Sequence, residues 1–377
     1  MNIRIGIDGR EFLKNGYTGI GRYLSDFISW ASVNAPSAAI YVFTNQFCEF
    51  RSQGKNVETI TINESVTQIW DQFLFPRAAE KHNIDVLLSP YVKMPMFSNI
   101  PVVLIVNDLI PMNSSPDISG SSAVEKLYFK IAAGLSLRKA SAVISISEFT
   151  KKDILMTFGG NPDRITVVPL GIRDIFKPVK DTELIQSTIS NYGLKQPFIL
   201  YAGKFRPTKN VSSLIRAYSL LVDKLKSGYK LVIAGSKDGE YHKLTELAEK
   251  LGLAEKIIFP GSITDDFLPP LMSAAEVFVY PSLYEGFGLP PLEAMACGTP
   301  VISSSATSLK EIIGDGACAV GNPTPENLAD AISKVLFDDE LRNSLSRKGL
   351  EQSSRFTVEK MSLGFLEVIN NVARDRS

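Results

Sequence analysis

Apolar positions in this chain fall into short unbroken runs rich in β-branched residues, separated by longer stretches in which they recur every three or four positions. The first pattern marks strands buried on both faces and the second marks covering helices, so the sequence predicts an α/β fold with parallel sheets. Runs at residues 3–7, 40–44, 58–62, 86–89, 102–106, 142–146 and 166–169 predict a first sheet, and runs at 198–202, 230–234, 257–260, 277–280, 301–304 and 317–320 a second. Two of these runs end in small residues, Tyr201-Ala202-Gly203 and Val232-Ile233-Ala234-Gly235, as expected of sheets that bind ligands at their strand carboxyl ends.

A charged, proline-bearing stretch from Arg173 to Asp181 reads as the linker, which gives domains at 1–175 and 176–355. The last stretch, from 356 to 377, places Met361, Leu363, Phe365, Leu366, Val368 and Ile369 on one side of a helix and is expected to complete the first domain. A length of 377 residues suits two domains, and 45% apolar with 21% charged residues is ordinary for a globular protein.

Forty Lys and Arg balance forty Asp and Glu, a balance that argues against a nucleic-acid partner. Three cysteines without a C-x-x-C pair write neither a disulfide framework nor a zinc knuckle, and they fit a reducing, cytoplasmic setting. Two histidines, His82 and His242, make a histidine-rich metal site impossible and a histidine-based triad unexpected. Arg4 interrupts the first apolar run, which reads as a strand rather than a signal-peptide core, and no apolar run approaches the ~18 residues of a spanning helix.

The richest stretch runs from Tyr280 to Pro300: after a strand come Glu285, Gly286, Phe287, Gly288, Leu289, Pro290, Pro291 and Glu293. Glycines permit close backbone approach, and prolines suit the first helical positions because no N–H is wasted there. Bare amides at that helix start favour an anion such as a diphosphate. Glu293, placed in the first helical turn, could accept two hydrogen bonds from a vicinal diol, and Glu285 could receive sugar hydroxyls. The plain alternative is a turn made by glycines and a helix favoured by a first-turn acid.

This E-G-F-G-L-P-P-L-E-A-M-A-C-G-T-P run resembles the retaining GT-B glycosyltransferases of family 4. The likeness extends over nearly the whole chain, through Thr18-Gly19-Ile20-Gly21-Arg22-Tyr23, Ile146 to Asp153, Val168 to Ile172, Tyr201 to Asn210 and Gly261 to Asp265. It implies two Rossmann-like domains, the first for the acceptor and the second for a nucleotide sugar. It also implies that Glu293 holds the ribose, that Glu285 contacts the transferred sugar, and that the backbone from Gly286 through Phe287 and Gly288 to Leu289 meets sugar and diphosphate.

By the same resemblance, Lys204 and Lys209 neutralise the leaving diphosphate in place of a metal, Ile263 meets the nucleobase, and Gly235 belongs to the donor site. Gly19, Ile20 and Gly21 form the loop toward donor phosphate and acceptor, and Asn107 with Asp108 stands beside the reacting centre. Two positions depart from the pattern: Lys204 stands where Arg is usual, and Asn107 stands where a His is usual. An Asn cannot relay a proton, so that position would act through its backbone carbonyl and an amide hydrogen bond.

The implied reaction is a retaining transfer in which the departing phosphate oxygen accepts the acceptor's proton on the same face. The donor is expected to be a UDP- or GDP-linked hexose, with no cofactor or metal. The acceptor is expected to be a glycan or lipid-linked saccharide in polysaccharide or O-antigen synthesis. Lys126, Lys130, Arg138, Lys139, Lys151 and Lys152 could bring the chain to the inner face of the plasma membrane, although a solvated surface interspersed with Glu125, Glu148 and Asp153 weighs more.

Gly19 and Gly21 lack the third glycine of a dinucleotide fingerprint, position 24 being Leu, and the second strand ends Phe43-Thr44-Asn45 without a ribose-binding acid. The pairs Asp265-Asp266 and Asp338-Asp339 read as surface charges. Two other readings stay open, a non-catalytic nucleotide-sugar or glycan-binding protein and a GT-B epimerase or phosphorylase. Substrate specificity is expected in the loops at 16–22, 111–124 and 264–268.

Overall fold

In the computed structural model, residues 3–14, 16–51, 54–64, 66–113, 122–225 and 228–375 are described. The chain forms two compact units, one built from residues 1–112, 121–171 and 356–377, the other mainly from 172–355. Most of the loop at 111–124 assigned to specificity lies outside the described residues.

The first unit holds a parallel sheet of β1 (Ile3–Asp8), β2 (Ala38–Thr44), β3 (Val57–Thr61), β4 (Val86–Ser89), β5 (Val102–Val106), β6 (Ala142–Ser145) and β7 (Ile165–Val167), in the order β3-β2-β1-β4-β5-β6-β7. β5 is buried along its whole length, which explains its unbroken apolar run, whereas no residue of the edge strand β3 is fully buried. The second unit holds β8 (Phe198–Ala202), β9 (Lys230–Ala234), β10 (Ile257–Gly261), β11 (Val277–Tyr280), β12 (Val301–Ser304) and β13 (Ala317–Val320), in the order β10-β9-β8-β11-β12-β13. Every strand run in the sequence is a strand in the structure, with ends shifted by a residue or two.

In each sheet the chain lays strands outward on one side and then returns to build the other side. The reversal falls between β1 and β4 in the first unit and between β8 and β11 in the second. At such a point the loops leaving neighbouring strand ends diverge and open a crevice, the usual ligand site of a doubly wound sheet.

Five helices position the sites: α1 (Gly19–Asn34), α2 (Ala123–Lys139), α3 (Val211–Leu221), α4 (Leu289–Ala296) and α5 (Val358–Arg374). Among the described residues no helix is long and apolar enough to cross a membrane. The chain leaves the first unit after Gly171, earlier than the charged stretch suggested. Arg173 is held inside the second unit by Asp265 at 2.8 Å and lies over the Phe176 ring, and the Val179 amide donates to Ser273. Asp265 is therefore one half of an anchoring ion pair and not a free surface charge.

α5 packs back on the first unit. Its buried Phe365 meets Tyr23 and Phe27 of α1 edge-on, with ring centroids 6.1 and 5.5 Å apart. A Cβ at Gly171 would collide with the backbone of Val358, so that crossing requires glycine. Phe365→Ala empties a fully buried site and should destabilise the first unit by about 3–5 kcal/mol. A urea titration followed by tryptophan fluorescence, both Trp30 and Trp70 lying in that unit, would show its midpoint shift.

Candidate functional site

The second unit gathers its polar groups where the strand order reverses. Beyond β8 the chain passes Gly203 and Lys204 into a tight 3-10 turn at Pro207–Lys209, and Asn210 at φ +54 leads into α3. Beyond β11 it passes Pro281 to Gly288 into α4. The two loops are tied together: the Leu283 amide donates to the Thr208 carbonyl at 2.7 Å, and the Ser282 hydroxyl to the same carbonyl at 3.0 Å.

Glu285 sits at the centre, 8% exposed. Its Oε1 accepts from the Lys209 ammonium at 2.5 Å and from the Tyr280 hydroxyl at 2.7 Å. Its backbone is fixed as well: the amide donates to Thr307 Oγ1 at 2.9 Å, and the Ser308 hydroxyl donates to the carbonyls of Glu285 and Phe287. Thr307 holds φ +55, a left-handed conformation uncommon for a β-branched residue and typical of functional loops. Burial, and then the Glu285 carboxylate, push the Tyr280 and Tyr201 hydroxyls well above the ordinary phenol range, so both remain protonated donors. Tyr201 donates to the Lys204 carbonyl at 3.0 Å and thereby sets the loop that carries this exposed lysine.

Gly288 caps α4 at φ +113, and a Cβ there would collide with Leu309, so its glycine is required twice over. The helix begins at Leu289, one residue before the prolines, which puts Glu293 in the second turn and not the first. It is buried at 9% exposure and gains less from the dipole than a first-turn acid would. Gly235 is explained by packing, since a Cβ would collide with the carbonyl of Gly203. Ile263 is half-buried on the loop after β10.

The first unit builds a second polar cluster at its own reversal point, most of which sequence reasoning missed. Arg10, just after β1, is bidentate to Asp8 at 3.0 and 2.6 Å, reaches Asp71 at 2.5 Å, and lies near the rings of Trp70 and Tyr91. Burial alone would lower the guanidinium's pKa, but Asp8 and Asp71 outweigh it. Glu11 accepts from the Tyr91 hydroxyl at 2.8 Å and from the Thr18 hydroxyl, while Thr18 also caps α1 through the Gly21 amide. A Cβ on Gly21 would lie 2.5 Å from the Glu11 carbonyl oxygen, whereas Gly19 faces open space. Ile20 is half-buried.

Asn107 donates from its side-chain amide to the Pro90 carbonyl at 2.9 Å, bridging the ends of β4 and β5, and lies beside the buried Tyr23 hydroxyl. Asp108 accepts from the Ile110 amide at 3.0 Å. The structure thus brings Lys209 together with Glu285 and the α4 N-terminus, and Asn107 together with Tyr23. The only advance signal of Arg10 and Glu11 was their place at a strand end, and nothing in sequence marked Thr307.

Models of two domain families match the chain, glycosyl transferases group 1 over residues 185–352 and glycosyltransferase family 4 over residues 49–174. The chain is 35% identical over 233 residues to O-antigen chain mannosyltransferase B of Escherichia coli, covering 62% of this chain and 61% of that one. It is 33% identical over 264 residues to the serotype-specific mannosyltransferase WbdA of Escherichia coli, covering 69% of this chain and 32% of that one. These matches span less than two thirds of either relative. Sucrose-phosphate synthase from Thermosynechococcus elongatus shares the fold over 98% of this chain and 99% of its own, with TM-score 0.80 and 20% identity. The architecture is GT-B.

Replacing Lys209 by Ala strands the Glu285 carboxylate with one donor and should cost about 1–3 kcal/mol, measured as a loss in urea midpoint that Lys209→Arg partly restores. A second expectation concerns alkaline pH. Burial, then Glu293, pushes the Cys297 thiol up to about 12, above the ~8.5 of an unfolded chain, and the buried tyrosines move the same way. These groups stabilise fully below their unfolded values and lose that contribution as pH rises toward the folded ones. Urea midpoints should therefore fall from about pH 9 upward, and Cys297 should resist iodoacetamide at pH 8 until the chain is unfolded.

Proposed function

The chain belongs to the group 1 and family 4 glycosyltransferases of GT-B fold, and from that premise we infer that it is a retaining hexosyltransferase, mannose being the first candidate sugar. The donor is a nucleotide diphosphate sugar, GDP- or UDP-linked, and the acceptor a saccharide of an O-antigen or related polysaccharide. The observation that carries this reading is the buried Glu285 carboxylate, held by Lys209 and Tyr280 at the reversal point of the second sheet, next to the N-terminus of α4.

In this reading the diphosphate lies at the N-terminus of α4, where the helix dipole favours an anion and, Pro290 and Pro291 having no N–H, the Leu289 amide is the first that the helix offers. Lys209 and Lys204 add positive charge as the leaving group departs, which stabilises the transition state more than the ground state. Lys204 supplies a point charge and not a bidentate fork, so geometry rests on the backbone amides. Oε1 of Glu285 is taken by its two donors, and Oε2 accepts hydroxyls of the transferred sugar. Glu293 receives the ribose diol. Asn107 has its amide committed to Pro90 and is given no proton to carry, and the acceptor proton passes to the departing phosphate oxygen.

Incubation of the protein with GDP-mannose, UDP-glucose or UDP-galactose and a mannose-terminated acceptor tests the reading, with the anomeric configuration of the product assigned by NMR. One donor should give product of retained configuration. Glu285→Gln should lower turnover by about 100- to 1,000-fold, the size of losing one preorganised polar contact to the reacting centre. Product of inverted configuration would overturn the retaining mechanism, and tight nucleotide-sugar binding without any product would favour a non-catalytic binding protein.

A further inference from the structure

The two units place charge oppositely at their helix starts. In the second unit no acid stands in the first turn of α4, and the buried Glu285 is paired with Lys209. In the first unit α1 starts at the carboxyl edge of the sheet, and Glu11 lies against its first turn. The Glu11 carbonyl accepts from the Thr18 amide at 3.4 Å, a Cβ on Gly21 would lie 2.5 Å from the same carbonyl oxygen, and the Glu11 carboxylate accepts from the Thr18 hydroxyl. The positive end of a helix attracts an anion, and at α1 the protein itself supplies one.

That anion is not neutralised. Oε1 of Glu11 accepts from the Tyr91 hydroxyl at 2.8 Å and Oε2 from Thr18, both uncharged donors, and among the described residues no cation is ion-paired with it. Arg10, its neighbour in the chain, is taken by Asp8 and Asp71. Lys93 acts on Asp71, and Arg22 has Asp26 four positions further along α1. Asp8, Glu11 and Asp71 thus outnumber Arg10 and Lys93, and the crevice keeps negative charge. A carboxylate accepts at roughly four lone-pair positions, so the half-buried Glu11 retains capacity for incoming donors.

Two buried donors at the same crevice have no acceptor. Tyr23 of α1 is 2% exposed and its hydroxyl lacks a hydrogen-bond partner among the described residues, with Asn107 beside it and the Glu11 charge acting on it. The Trp70 indole N–H, on the ring that lies near Arg10, is unpartnered as well. Buried donors are paired in the great majority of cases, so orphans at a crevice point to an incoming oxygen. A sugar hydroxyl both gives a proton to Glu11 and accepts one from a donor such as Tyr23. A phosphate or carboxylate has no proton to give Glu11 and meets its charge.

Resting on the reading of the chain as a saccharide transferase, we propose that Glu11 makes the first unit's crevice selective for an uncharged, hydroxyl-bearing sugar as the receiving end of the acceptor, and turns phosphate away from the Gly19 to Gly21 loop. Saturation-transfer NMR of the full chain tests this with trisaccharides of mannose, glucose and galactose, each unmodified, 6-O-methylated or 6-phosphorylated on the terminal residue. No sugar nucleotide is present, so the outcome is separate from that of the transfer assay. At least one unmodified trisaccharide should bind, its methyl ether controlling for bulk. The phosphorylated form should bind about 10-fold more weakly at low salt, and the gap should narrow as salt is raised. Glu11→Gln should weaken the neutral sugar about 10-fold, by loss of a charge-assisted hydrogen bond, and should close the gap between the neutral and phosphorylated forms. A Glu11 with only a structural role would move both forms alike, and a thermal melt separates loss of contact from loss of fold. Equal binding of neutral and phosphorylated sugars by the parent protein overturns the proposal without any variant. So does stronger binding of the phosphorylated forms, Glu11→Gln binding of the neutral sugar equal to the parent's, or absence of binding by every trisaccharide.

Discussion

A carboxylate taken out of water must be met by donors, and in the second unit that demand falls on Glu285. Its carboxylate takes Lys209 from beyond β8 and Tyr280 from the end of β11, while from beyond β12 Thr307 accepts from its amide and Ser308 donates to its carbonyl. Those strands are neighbours in the sheet, so holding one residue by its buried charge and its backbone ties their three loops to one geometry. The left-handed Thr307 belongs to the same constraint, since its hydroxyl accepts from the Glu285 amide. A site fixed in this way exists before any ligand arrives, which reduces the ordering that binding would otherwise require.

The first unit solves the matching problem with the signs reversed. A cation, Arg10, lies at the centre and two acids, Asp8 and Asp71, close around it beneath aromatic rings. From that core Glu11 reaches Tyr91 and Thr18, so the Gly19 to Gly21 segment is held by groups anchored at the end of β1 and the start of the loop after β4. In both units the most expensive buried charges stand where the strand order reverses, and the residues assigned to chemistry are suspended from them.

Strand placement was legible because parallel strands with both faces covered must be written as unbroken apolar runs. Lys209, Glu285 and Gly288 were legible because glycine and proline punctuate the loops that carry them. Tyr280 looked like the last residue of a strand, and only tertiary structure shows its hydroxyl on Glu285. Arg10 and Asp71 are 61 positions apart, and no periodicity links them. Glu293 was put in the first turn because the prolines were read as the first helical residues, whereas Gly288 caps a helix that starts one residue earlier, at Leu289. Arg173 reads as a solvated linker charge until Asp265, 92 positions on, is seen beside it.

The return of α5 to the first unit makes the second unit, in chain order, an insertion. As the chain is synthesised, the first sheet is complete by Val167, yet the crevice between α1 and the sheet stays open until Phe365 emerges almost two hundred residues later. The second unit can close in the interval, since all of its strands and its central carboxylate lie within 172–355. The unit written second is therefore the one able to finish first, and the first must keep the apolar flank of α1 shielded until α5 arrives.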